Sequence, residues 1–168
     1  MYALLTVILI GMAIWKGDWR HWQKYILTMF YVSTCNLLYN LLCKDHMLWK
    51  HSPKVLPISH TMVDVIFTFI NLPALVLLYL SHYPYSKPKS KQALYIFKWV
   101  VGSLIVEYPF YKMHLLILNN GYAYWMEPIF YTIMYVMMRL HYSRPLLTYP
   151  ISVVIIVFML RYFNVSLK

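Results

Sequence analysis

The chain has 168 residues, of which 61% are hydrophobic and 12% charged, and its formal net charge is +10. A soluble domain carries about a quarter charged residues and less than half apolar ones, so composition excludes a water-soluble globule, and the apolar excess has to face lipid. The positive charge fits Lys and Arg gathered in the cytoplasmic loops of a membrane protein and is no argument for nucleic acid.

In chain order, six apolar stretches are expected as membrane helices of a single domain covering 1–168: 2–15, 25–43, 61–82, 93–118, 124–140 and 147–163. The fold class is therefore all-α, a polytopic bundle. The first stretch, YALLTVILIGMAIW, is short at about 21 Å against a hydrocarbon core of about 30 Å. It has no basic leader and no A-x-A site, so a cleaved signal peptide is not expected.

WKGDWRHW follows it, at 15–22. Gly17 is expected in the left-handed conformation that stops a helix, and Asp18 is expected to cap the next turn. Trp15, Asp18, Trp19 and Trp22 then make an interfacial anchor, with rings at headgroup level and basic groups at lipid phosphates. The competing reading makes Asp18, Arg20 and His21 a site. All six tryptophans are expected at span ends, as in an aromatic belt.

The second stretch carries Ser33, Asn36, Asn40 and Cys43 on one helical face. Cys35 and Cys43 stand eight residues apart on it, about 12 Å, and cannot bridge. The third contains Pro73 and puts His60, Asp64, Thr68 and Asn71 at steps of four, four and three. The fourth contains Glu107, Pro109 and Lys112 and reads as one kinked span or as a span plus an interfacial piece. Its Ser103, Glu107 and His114 fall on one face. The fifth opens with Glu127 and continues with Tyr131 and Tyr135 at steps of four. The connections HSPKVLP, HYPYSKPKSK and HYSRP are polar and Pro-rich, as loops are. No internal repeat supports a transporter built from inverted repeats.

Six spans put the first, third and fifth loops on one side. They hold Lys16, Arg20, Lys24, Lys87, Lys89, Lys91, Arg139 and Arg144, with Lys98 just inside the next helix; the other side holds Lys44, Lys50, Lys54, Lys112, Arg161 and Lys168. The bias places loops one, three and five in the cytoplasm and both termini outside, in a cell (inner) membrane.

Polar groups inside a membrane are costly, so these stripes must turn from lipid toward each other. The expectation is a polar pocket among helices two to five, opening outward and built from Asn36, Asn40, Asp64, Glu107, His114 and Glu127. The competing reading has the neutral groups joining helices by hydrogen bonds. His60 and Asp64 are an i, i+4 pair, but no HExxH or comparable motif is present and no metal is expected. GxSxG and phosphate-cradling glycine loops are missing too, so no cofactor and no catalytic residue is assigned. The cluster RLHYSRP, 139–145, offers Arg139, His141 and Arg144, with Arg20 on the same side, as a cytoplasmic site for an anionic group. Its structural alternative is a cationic helix end at the lipid surface.

GDWRHWQKY (17–25), NLLYNLLC (36–43), LWKHSP (48–53) and RLHYSRPLL (139–147) resemble the motifs of a family of small polytopic membrane proteins from endospore-forming bacteria. The resemblance spans nearly the whole chain. It implies a multipass inner-membrane protein and no particular chemistry, and it draws attention to Asp18, Arg20, Asn40, Arg139, His141 and Arg144.

Three functions follow as expectations. The first is a non-enzymatic membrane protein that binds or passes a small polar ligand, ion or lipid. The second is an accessory subunit of a membrane complex, with a protein partner or a second copy beside the bilayer. The third, a membrane enzyme acting on lipid headgroups, has the least motif support.

Overall fold

The computed structural model describes residues 1–52 and 60–165. The calls on Lys54 and Lys168 and on the His60 side chain lie outside the described residues. The described residues make an all-helical fold of six helices, with only two three-residue strands beside them. Helix α1 is Tyr2–Lys16, and α2 is Gln23–Leu42. Helix α3 runs from His60–Ile66 through a π-helical turn, Phe67–Asn71, into Leu72–Ser81. Helix α4 is Lys89–Lys112, α5 is Glu127–Ser143 and α6 is Pro145–Tyr162. Four helices, α2, α3, α4 and α6, are long and apolar enough to cross a membrane.

Prolines mark where the helices start and bend. Pro128 and Pro145 stand in the first turns of α5 and α6, where a missing N–H has no carbonyl to serve. Arg144 alone separates α5 from α6. The wide turn in α3 stands directly before Pro73: the Leu72 N–H reaches back to the Phe67 carbonyl. Proline removes a ladder bond and crowds the turn before it, and the wide turn absorbs both.

The helices alternate in direction. Loops 17–22 and 82–88 and the Arg144 corner share one end, where the Tyr142 ring packs on both Tyr25 and Tyr85. The opposite end carries two short antiparallel strands, β1 at Trp49–His51 and β2 at Leu116–Leu118, with Trp49 paired to Leu118 and His51 to Leu116. We call these the loop end and the sheet end. Helix α3 is central: Val76, Leu77, Tyr79 and Leu80 are all fully buried. Outward faces are apolar instead of polar, with Phe30 and Leu41 on α2, Phe97 and Ile105 on α4, and Val154 and Phe158 on α6 exposed.

The structure corrects several expectations. The fourth apolar stretch is one unbroken helix that ends at Lys112, and residues 116–118 are a strand. Helix α4 begins at Lys89, so Trp99 stands well inside it and packs on Tyr79 and Tyr135. Trp49 lies in a strand, stacked on Tyr39. Neither ring belongs to a belt at a span end. Among the others, Trp15, Trp19, Trp22 and Trp125 are exposed near helix ends.

Gly17 has φ −72° and ψ 145°, ordinary extended backbone, and not the left-handed form. It is there for close approach: a Cβ would run into the Ala13 carbonyl and stand 2.8 Å from Leu77 Cδ2. Gly17→Ala should therefore cost about 1–3 kcal/mol by overpacking, read as a lower unfolding midpoint in detergent. An unchanged midpoint would mean that α1 does not depend on this contact with α3. Asp18 makes no side-chain capping bond. Its carboxylate faces His21 Nδ1 at 2.9 Å and accepts from the Tyr25 hydroxyl. The His21 bond is the main reason its carboxyl is held below the usual range. The carboxylate that would cap the turn is engaged by the His21 and Tyr25 side chains instead, and Trp19 turns its indole N–H back to the Ala13 carbonyl.

Candidate functional site

Helices α4 and α5 bring two carboxylates together near the sheet end. Glu107 lies on the inward face of α4, and Glu127 is the first residue of α5, 4% exposed. Tyr131, one turn after Glu127, donates its hydroxyl to Glu107 Oε2. Glu107 Oε1 is buried without a hydrogen bond. The 119–126 segment adds two phenols. Burial pushes the Tyr122 phenol well above its ordinary range, and the charges of Glu127 and Glu107 push it further. Tyr124 rises to about 12 through burial, then through the same two acids. The Tyr122 hydroxyl is buried beside Glu127 without closing a hydrogen bond. Among the described residues, no Lys, Arg or His is within ion-pair distance of either glutamate.

The other expected pocket residues go elsewhere. Asn36 donates to Thr68 Oγ1 at 2.7 Å, and Ser33 donates to the Thr68 carbonyl, so these neutral groups join α2 to the π-helical turn. Asp64 lies within electrostatic reach of Tyr2 and Tyr39. Asn40 is half-buried on α2. His114 does not share a face with Ser103 and Glu107: α4 has ended, and it sits exposed in a turn with φ 54°. The expected helix ran to 118, six residues beyond the end of α4. Among the described residues, no three His, Cys, Asp or Glu side chains gather as a metal would need.

At the loop end, the four residues Arg20, Arg139, His141 and Arg144 do not converge. His141 is 1% exposed and points inward, with Nδ1 3.0 Å from Thr28 Oγ1 and its ring stacked on Tyr31 at 4.2 Å. The Arg139 guanidinium lies over the Tyr83 and Tyr85 rings at 5.0 and 4.8 Å. Arg20 and Arg144 are exposed. Burial chiefly raises the Tyr85 phenol. A shallow groove nearby is lined by Lys87, Lys91 and Lys98, the residues that make this end basic.

One cleft was not foreseen from the sequence. A cleft of about 380 Å³ lies between α2, α5 and α6, with Val32, Met134, Ile156 and Met159 among its walls. One end is closed by the Tyr31 hydroxyl and Ser152 Oγ, 2.7 Å apart. The sheet end is closed by Tyr39, Trp49 and Tyr122, where the Tyr39 hydroxyl accepts the Leu48 and Trp49 N–H groups and donates to the Trp49 carbonyl. Its mouth runs along exposed Trp125, Ile129, Phe158 and Tyr162. Of the expected pocket residues, only Asn36 lines it. The signal for it, Ile129, Ile133 and Met137 at steps of four on α5, is shared with any apolar helix.

The class that fold and cavity define is an all-helical bundle with apolar outward faces and a lateral apolar cleft. Beyond that class, no family model, no curated protein and no solved structure matches the chain.

Proposed function

We propose that the chain is a six-span membrane protein that holds the acyl chain of a lipid in the cleft between α2, α5 and α6. The cleft carries this reading. Its volume, about 380 Å³, is in the range of ligand sites. Several of its polar side chains are spent on neighbouring groups, as with Tyr31 and Ser152, Tyr39 and Trp49, Asn36 and Thr68, and the Tyr122 hydroxyl stands beside Glu127. A polar ligand would find few partners there, and burying it would cost several kcal/mol. A hydrocarbon chain needs none. The mouth lies between helices whose outward faces are apolar, where only lipid tails can reach it in a bilayer. Exposed Lys44 and Arg161, next to the Cys43 and Leu160 that pack together at the sheet end, suit an anionic headgroup.

The other parts of the reading are supported from sequence. The Lys and Arg bias assigns the loop end to the cytoplasm, and the likeness to small polytopic proteins of endospore formers favours an inner membrane. The short α1 and α5 complete the six spans beside four longer helices.

Native mass spectrometry of the gently released protein tests the cleft. The wild type should retain one lipid, Ile133→Trp should lose it by filling the cleft, and Val154→Trp on the outward face should retain it. Equal occupancy in Ile133→Trp and wild type would reject the site. A second protein retained in place of lipid would favour the accessory-subunit function.

A further inference from the structure

The apolar cleft leaves Glu107 and Glu127 unused. They lie toward α4, while Ile129, Phe130 and Ile133 of α5 line the cleft. Two carboxylates that feel each other's charge, away from water and without a cationic side chain, are an expensive arrangement. The compensation is partial. Glu127 stands at the N-terminus of α5, worth about half a positive charge, and Glu107 accepts one hydroxyl from Tyr131.

Three oxygen groups are left over. Glu107 Oε1 is buried and makes no hydrogen bond. The Glu127 carboxylate is on a residue 4% exposed, beside an unfavourable neighbour. The Tyr122 hydroxyl, on a residue 8% exposed, is buried next to Glu127 and makes no hydrogen bond either. Tyr122 comes from the loop and Glu107 from α4, so two independent elements leave unpartnered oxygens near Glu127. The set contains oxygen only, and no third acid, histidine or cysteine joins it among the described residues. Oxygen donors without nitrogen or sulfur select hard cations over zinc or copper.

We propose that Glu107, Glu127 and the Tyr122 hydroxyl form a site for a hard inorganic cation entering from water at the sheet end. The charge of the pair balances a divalent ion, and with a shared proton it balances a monovalent one. The site adjoins the lipid cleft at Tyr122, which closes the sheet end of the cleft, but its two acids lie outside the cleft lining, and its readout, a cation-dependent midpoint, is independent of lipid retention.

The test is thermal unfolding in a neutral detergent at constant ionic strength, with CaCl2 or NaCl replacing choline chloride. Wild type should show a saturable rise in midpoint with one of the two cations. Glu107→Gln and Glu127→Gln should lose that rise, yet be at least as stable as wild type in choline, because a buried charge has gone. Tyr122→Phe, which keeps both acids, should weaken the apparent affinity about tenfold, as loss of a supporting group at a metal does. Choline-stable Gln variants that still respond like wild type would overturn the proposal. So would a wild-type midpoint that follows pH but neither cation, which would leave the acids sharing a proton with nothing bound.

Discussion

Tyr79→Ala should lower stability by about 3 kcal/mol, the low end of the range for emptying a buried aromatic site. Tyr79 is fully buried at the centre of the bundle. The rings of Tyr83, Tyr95, Trp99 and Tyr135 surround it, with centroids 5.7, 5.6, 5.6 and 4.9 Å away. In a bilayer there is little hydrophobic gain between helices, since lipid tails are as apolar as the core, so packing contacts carry the association. Removing the ring deletes those contacts and leaves a cavity its rigid neighbours fill poorly. Tyr79→Phe should cost only about 1 kcal/mol, the worth of its hydroxyl's 3.0 Å bond to the Tyr135 carbonyl. Reversible unfolding of both variants in mixed micelles measures the two costs. An alanine variant no worse than the phenylalanine one would show that this cluster is not what joins α3, α4 and α5.

Trp49→Ala should be nearly as costly, about 3 kcal/mol, but its damage should be local. Trp49 stacks on Tyr39 at 3.9 Å and 2°, and it meets the Tyr122 and Phe130 rings. Its backbone is fixed by Tyr39 on one side and by pairing with Leu118 on the other. Without the indole, the end of the cleft opens and β1 loses its anchor. Hydrogen exchange should accelerate at Trp49–His51 and Leu116–Leu118 and stay slow at Val76–Leu80. Uniform acceleration would mean that the two strands and the core unfold as one unit.

Much of the architecture could be read from the chain, because apolar runs between Pro-rich polar joints determine where helices lie. Helices joined by short connections alternate in direction, so the ends next to the first, third and fifth connections meet, through Tyr25, Tyr85 and Tyr142. The step of four puts Glu127 and Tyr131 on one face of α5, and that face meets Glu107, though Tyr131 was not among the expected pocket residues. What could not be read was anything set by distant partners. The strands are three residues each, WKH and LIL carry no periodicity, and each finds its partner more than sixty residues away in the sequence. Gly17 was legible as a special position, yet its reason is Leu77, sixty residues away. His141 looked like part of a basic cluster and is instead turned inward by Thr28 and Tyr31, which no local pattern announces. His114 was misplaced because α4 stops at Lys112.

The π-helical turn at Phe67–Asn71 means that α3 is two helices out of phase. Each α-helical residue advances about 100°, and a turn that closes one residue late rotates everything beyond it by about that much. The sheet-end half, with Asp64, and the loop-end half, with Val76 to Leu80, therefore obey separate angular frames. A helical wheel drawn through the whole of α3 assigns one half to the wrong partners. The phase slip lets the first half turn Asp64 toward Tyr2 and Tyr39 while the second buries Leu77 and Tyr79, two orientations that an uninterrupted helix of this sequence could not satisfy together.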